Sequence, residues 1–270
     1  MPTGQDLVEG GVLPGEPDPR ADSAGFARHV QSGDRPARGP RPALTLDRIV
    51  TAAVEIADAE GLAALSMRRL ATDLGTGTMS LYRYVPGKAE LLDLMLDHVL
   101  GEPPAVPDGT AGDEPADWRA ALGAMARSYL EQLRRHPWLL KVNQARTVLG
   151  PNAVRGLERA LGGIRGMGLS DAELISAIIT VNSFVEGIAR ARLHTSEVSR
   201  ETGLSDADFW ENQRPYLERA MLSGDYPLMA ALSDDAFGHG TDHFAFGLQR
   251  LIDGFEVLIE RRSGQRRSGE

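Results

Sequence analysis

Seven side chains within residues 68–88 have the types and spacing to read a nucleic-acid groove: Arg68, Thr78, Met79, Ser80, Tyr82, Tyr84 and Lys88. The Arg68 guanidinium can reach guanine O6 and N7. The short hydroxyls of Thr78 and Ser80 can reach base edges or phosphates, Met79 can touch a thymine methyl, and the tyrosine hydroxyls can donate to phosphate. Lys88 adds a cation at a helix start, where backbone N–H groups already favour phosphate. From Ser66 to Lys88 four cations, Arg68, Arg69, Arg83 and Lys88, face one acid, Asp73, although the whole chain carries a formal net charge of -9. Such an acidic chain does not coat nucleic acid through bulk electrostatics, so docking is confined to a local basic face.

Positioning these groups takes short helices with defined ends. Thr45 is placed to cap a first helix, Asp47 favours the positive end of its dipole, and Leu44 can staple onto Ile49. Leu46, Ile49, Val50, Ala53, Ile56 and Ala57 recur at helical spacing before Gly61 ends the run. Ser66 is expected to cap a second helix with Leu70, Ala71 and Leu74 inward and Gly75 at its end. Thr78 is expected to cap a third, with Leu81 and Val85 inward and Pro86-Gly87 as its stop. A second helix that holds a third in a major groove is the helix-turn-helix arrangement. A fourth helix carrying Leu91, Leu92, Met95, Leu96 and Val99 joins this unit to the rest.

The run LTLDRIVTAAVEIADAEGLAALSMRRLATDLGTGTMSLYRYVPGKAELLDLMLDHVL, residues 44–100, resembles the DNA-binding domain of the TetR family throughout. Its most specific pieces are Gly61 to Gly75 and Leu81 to Lys88. The resemblance implies a dimeric repressor released from a palindromic operator by a small molecule, and it puts the seven residues named above on DNA-contacting positions. RRHPWLLKVNQARTVLGPN and GLSDAELISAIITVNSFVEG are similar to the ligand-binding domain of the tetracycline-repressor branch, which places Arg146, Asn182 and Glu186 near a ligand cavity or the dimer helices. Asn143, like these three, is a polar group on an otherwise apolar helix, where burial demands a hydrogen-bond partner, and Trp138 is either core or pocket wall.

The expected fold is all-α: a disordered extension at 1–43, a helix-turn-helix domain at 44–101, a Pro/Gly/Asp-rich linker at 102–116, a helical ligand-binding and dimerisation domain at 117–262, and a disordered tail at 263–270. In the larger domain, helices are expected over Trp118 to His136, Leu139 to Val148, Asn152 to Met167, Asp171 to about Thr195, Asp206 to Met221 and His243 to Arg262. The fourth and sixth of these are apolar over more than one face, which suits a four-helix interface between two subunits.

The absence of cysteine removes disulfides and thiolate chemistry. No nucleophile elbow, P-loop, dinucleotide fingerprint or HExxH motif occurs, so neither an enzyme nor a cofactor is expected. His239 and His243 are four apart, but flanking glycines at 238 and 240 argue against a metal pair. No apolar run long enough to cross a membrane and no leader pattern are read, so a soluble, cytoplasmic protein is expected. The expected partners are double-stranded operator DNA, a small-molecule effector of unidentified structure and a second copy of the chain. Arg35, Arg38 and Arg41 belong either to an arm reaching a minor groove or to a solvated tail. The alternative function is a constitutive regulator or activator whose C-terminal domain only dimerises.

Overall fold

Local capping chemistry builds the first helices of the computed structural model, which describes residues 44–103, 117–142, 150–233, 236 and 242–268. Thr45 Oγ1 accepts the Arg48 amide at 3.2 Å and opens α1 (Leu46–Glu60), which Gly61 closes at φ +83°. Ser66 Oγ accepts the Arg69 amide at 3.1 Å and opens α2 (Met67–Asp73). Gly75, at φ +62°, turns the chain toward α3 (Thr78–Tyr82), and α4 (Lys88–Leu100) follows. Thr78 does not cap α3: extended Gly77 takes that position and Thr78 is the first helical residue, so no side chain caps this helix. Although α3 is short, the amides of Tyr84 and Val85 bond back to Leu81 O at 2.8 and 2.9 Å. That extra curl turns both Leu81 and Val85 into the core, where neither is exposed.

The second half contains α5 (Trp118–Arg135), a 3-10 turn (Pro137–Lys141), α6 (Pro151–Ile164), a 3-10 turn (Arg165–Met167), α7 (Asp171–Thr202), α8 (Asp206–Leu222), α9 (Pro227–Ala230) and α10 (His243–Ser268). Helix α5 packs on α6, α7 and α10, and α4 packs on both α1 and α6, so one hydrophobic core runs through both halves. Among the described residues no strand occurs.

Several expected boundaries move. The helix expected from Leu139 to Val148 is, in its described part, a 3-10 turn that starts at Pro137 and ends at Lys141, with Val142 already extended. Asn143 and Arg146 lie outside the described residues, as do 1–43 with Arg35, Arg38 and Arg41, most of the 102–116 linker, and His239. Helix α7 continues past Thr195 to Thr202, where Gly203 at φ +71° supplies a left-handed cap. The Thr195 and Thr202 hydroxyls donate to the carbonyls of Ala191 and Val198, one turn earlier, which keeps these polar residues compatible with helix. Helix α10 runs on to Ser268, through most of the segment expected as a disordered tail. Gly264 disfavours helix by only about 1 kcal/mol relative to alanine, too little to end it.

One correction concerns membranes. Helix α7 is long and apolar enough to cross a bilayer by length and composition, with a mean hydropathy of 1.4 over its most apolar window. The physical reason is that its apolar residues cover more than one face of the helix. One face, including Leu174, Ala177, Ile178, Val181 and Val185, is buried in the core, while Ile175 and Ile179 remain exposed beside it.

Candidate functional site

The outer surface of α2 and α3 carries what the core leaves over. With Leu81 and Val85 buried, α3 presents Met79 at 76% exposure and Tyr82 at 45% exposure. Thr78 and Ser80 are half-buried at its start, and Arg68 is exposed on α2. Two of the expected contact residues are otherwise engaged. Tyr84 is half-buried against the core. Lys88 Nζ donates to Leu65 O at 2.8 Å, tying the start of α4 to the loop before α2. Arg69 is held by Glu60 Oε1 at 2.7 Å and Asp73 Oδ1 at 3.1 Å. These bonds, Glu60's first, raise its pKa further and fix α2 against α1. Arg68 and Arg83 are exposed, and Lys88 bonds to a neutral carbonyl, so all three leave positive charge on this face.

Behind this face, polar contacts fasten the helix-turn-helix unit to the larger domain. Asp97, on α4 and nearly fully buried, accepts the backbone amides of Asn152 and Ala153 at 3.0 Å each. Its own carbonyl accepts Asn152 Nδ2 at 3.0 Å. Helix α6 begins at Gly150-Pro151 with no side-chain cap of its own, so the acid at its positive end comes from another helix. Gln132 Nε2 donates to Val99 O at 2.7 Å. Asp58 on α1 accepts from Trp138 Nε1 at 2.7 Å and lies 2.9 Å from His136 Nδ1. Glu102 lies 3.1 Å from His136 Nε2 and takes Arg135 Nη1 at 2.5 Å. Trp138 therefore belongs to this joint and is buried in it. It does not line the cavity described next, because the Pro137–Lys141 turn sends Leu139 and Leu140 there instead.

A cavity of about 680 Å³ opens between α5, α6 and α7, a size in the ordinary range for small-molecule sites. Leu100 at the end of α4 closes one side, and Met125, Leu133, Leu157, Ala160, Ile178 and Ile179 give it apolar walls. Asn182, Glu186 and Arg190, each four residues from the next, bring polar groups to it from α7. Tyr129 donates to Glu186 Oε1 at 2.8 Å. Burial first, then the Glu186 charge, pushes the Tyr129 hydroxyl far above the ordinary phenol range, so it remains a donor.

The sequence reading missed the joint. Asp97 offered one signal: it is an acid on the stripe of Leu91, Leu94, Met95 and Val99, and a charge on a buried stripe requires a partner. Asp58, Gln132 and His136 offered none, because their partners lie 78, 33 and 34 residues away in the chain.

Residues 49–95 match the tetR family of bacterial regulatory proteins, and residues 111–259 match the tetracyclin repressor-like C-terminal domain. The chain is 60% identical over 234 residues to the HTH-type transcriptional repressor DrrR1 of Streptomyces coeruleorubidus, covering 87% of this chain and 85% of that one. Among solved structures, apo ActR from Streptomyces coelicolor superposes with a TM-score of 0.65 at 33% identity, covering 84% of this chain and 100% of ActR. ActR in complex with actinorhodin superposes with a TM-score of 0.62 at 33% identity, covering 81% and 99%.

Proposed function

The chain belongs to the TetR family of transcription regulators, and from that premise we propose that it represses as a homodimer whose two α3 helices enter successive major grooves of a palindromic operator. It is a DNA-binding transcriptional repressor with a ligand-responsive C-terminal domain. The base- and phosphate-contacting set in this proposal is Arg68, Thr78, Met79, Ser80 and Tyr82, with Tyr84 and Lys88 at its edge. The observation that carries it is the division of α3, whose Leu81 is fully buried while Met79 and Tyr82 stand outward beside exposed Arg68.

Dimerisation is assigned to α7 and α10. Both leave apolar side chains on the surface after packing on each other: Ile175 on α7, Phe246, Val257 and Leu258 on α10. A two-fold axis through these helices would set the α3 pair about 34 Å apart, one turn of the duplex. The effector site is assigned to the cavity with Asn182 and Glu186 in its wall, a reading supported by the actinorhodin complex of ActR. An effector wedged between α5, α6 and α7 acts on α6, whose N-terminus is held by Asp97 of α4, and so changes the angle at which the recognition unit hangs. Release then requires only that the ligand bind the non-operator spacing more tightly than the operator spacing.

Fluorescence anisotropy with duplex DNA from upstream of the chain's own gene tests the face. The wild-type protein should bind with a symmetric footprint, and Arg68→Ala and Tyr82→Ala should each weaken binding by about tenfold, the worth of one good base or phosphate contact. Wild-type affinity in both variants would remove α2 and α3 from the DNA.

A further inference from the structure

We infer that the cavity takes an apolar ligand carrying a protonated amine, and that Glu186 is its counter-ion. This rests on the reading of the cavity as the effector site and specifies its chemistry. Glu186 is half-buried in a wall that is otherwise mostly aliphatic. Among the described residues its hydrogen-bond partner is Tyr129, which donates to Oε1.

Among the described residues that line the cavity, the other charge is differently placed. Arg190 is exposed, and its Nη1 donates to Leu140 O at 3.0 Å, fastening α7 to the end of the Pro137–Lys141 turn. The carboxylate is therefore the inner charge and the guanidinium the rim charge. In displacing water from Glu186 a neutral ligand offers at best an uncharged donor and an acid brings a like charge, whereas a cationic N–H group offsets the lost hydration with a charge-assisted hydrogen bond. Asn182, one turn earlier on the same face of α7, brings a side-chain carbonyl that can accept a second N–H from the same amine. Because Tyr129 stays protonated, it holds the Glu186 carboxylate in one orientation rather than competing for the ligand's proton.

A matched probe series tests this on the full chain without DNA, by isothermal titration. Dehydroabietylamine, the corresponding alcohol and dehydroabietic acid share one three-ring frame and differ only in the group at one carbon: cation, neutral, anion. The wild-type protein should bind the amine more tightly than the alcohol, and the alcohol more tightly than the acid. Glu186→Gln keeps the acceptor for Tyr129, so it should fold normally. It should lose roughly tenfold or more in amine affinity, the scale of one charge-assisted hydrogen bond, with little change for the alcohol. Glu158→Gln, at an exposed site, controls for attraction by net charge and should leave all three affinities unchanged.

Equal binding of the three probes, absence of amine binding, or an amine preference that survives in Glu186→Gln would each overturn the inference. Preference for the acid that is lost in Arg190→Gln would replace it with an anionic ligand class. The same probes added to the operator complex separate this from the broader reading. Glu186-dependent amine binding that leaves operator affinity unchanged preserves the cation site and removes its regulatory role. Charge-independent binding that does release DNA preserves the regulatory role and removes the cation site.

Discussion

The recognition unit and the sensing unit are built from the same element, yet they hold themselves together differently. In the recognition unit the helix-capping bonds are short in sequence, Thr45 to the Arg48 amide and Ser66 to the Arg69 amide, and the longest of its side-chain ties described above, Lys88 to Leu65 O, spans 23 residues. Its interior is closed, with Ile49, Leu70, Leu81 and Leu91 all fully buried. The sensing unit keeps a cavity of about 680 Å³ inside it, and its polar bonds bridge helices: Tyr129 to Glu186, Arg190 to Leu140, Asp97 to the start of α6. A self-contained module can move as a rigid piece. A frame with space inside and ties between helices can change shape, and in the proposed mechanism the joint at Asp97 passes that change on.

The sharpest way to break this contrast is to open the closed unit. Leu81→Ala leaves a void under α3 and should cost about 2–5 kcal/mol, the usual range for a buried leucine. Operator binding should be lost at temperatures where α5 to α7 still show native helical circular dichroism. Simultaneous loss of both units in one transition would mean that the shared core makes them a single cooperative body.

Next in size is the joint itself. Asp97→Ala strands the Asn152 and Ala153 amides at the start of α6 and should cost about 1–3 kcal/mol, the penalty for unpaired buried groups. Hydrogen exchange should speed up at those two amides and along α6 while the amides of α1 remain protected. Exchange that accelerates equally in α1 would show that the recognition unit depends on this tie and is no independent module.

The third test concerns the frame's outer pair. Gly247 on α10 lies so close to α7 that an added Cβ would sit 2.5 Å from the Phe184 ring, which is itself stacked on Phe244 at 6.1 Å between centroids. Gly247→Ala should prise the two helices apart at about 1–3 kcal/mol, the cost of overpacking, and weaken self-association in sedimentation. Phe184→Leu in the same chain should recover part of the loss. Absence of any recovery would place the strain elsewhere.

The same contrast explains what the amino-acid order revealed. Caps, glycine ends and inward stripes act within one or two turns, so α1, α2 and α4 were legible along with the outward position of Arg68, Met79 and Tyr82. The bond from Lys88 to Leu65 O was not legible, because only folding brings that carbonyl, 23 residues away, to its ammonium. Trp138 was left between core and pocket wall for the same reason, since its partner Asp58 is 80 residues distant. Asn182 and Glu186 were found as polar groups on an apolar helix, but the cavity they line is made by three helices packing. Helix α9 is one turn long, too short to show any period.

The smallest expected effect is a pH dependence confined to the frame. Glu173, at the start of α7, accepts the Ser170 amide at 3.0 Å and its hydroxyl at 2.6 Å, and it also holds the Arg262 guanidinium on α10, with Nη1 at 2.6 Å. Hydrogen bonds from Arg262 first, then from Ser170, lower its pKa from 4.5 to about 2. A carboxyl whose folded value is depressed contributes fully above its unfolded value of 4.5 and loses that contribution as pH falls toward 2. The pair is solvent-exposed and therefore screened, so the effect is a modest shift rather than a collapse. Between pH 4.5 and 2 the melting temperature of the wild-type chain should fall faster than that of Glu173→Gln, which has already lost the charge. Added salt should narrow the gap between them, because an exposed ion pair weakens as counter-ions accumulate. Parallel pH profiles for the two proteins would show that the α7–α10 tie is held by packing at Phe184, Phe244 and Gly247 alone, and the frame would then owe none of its rigidity to charge.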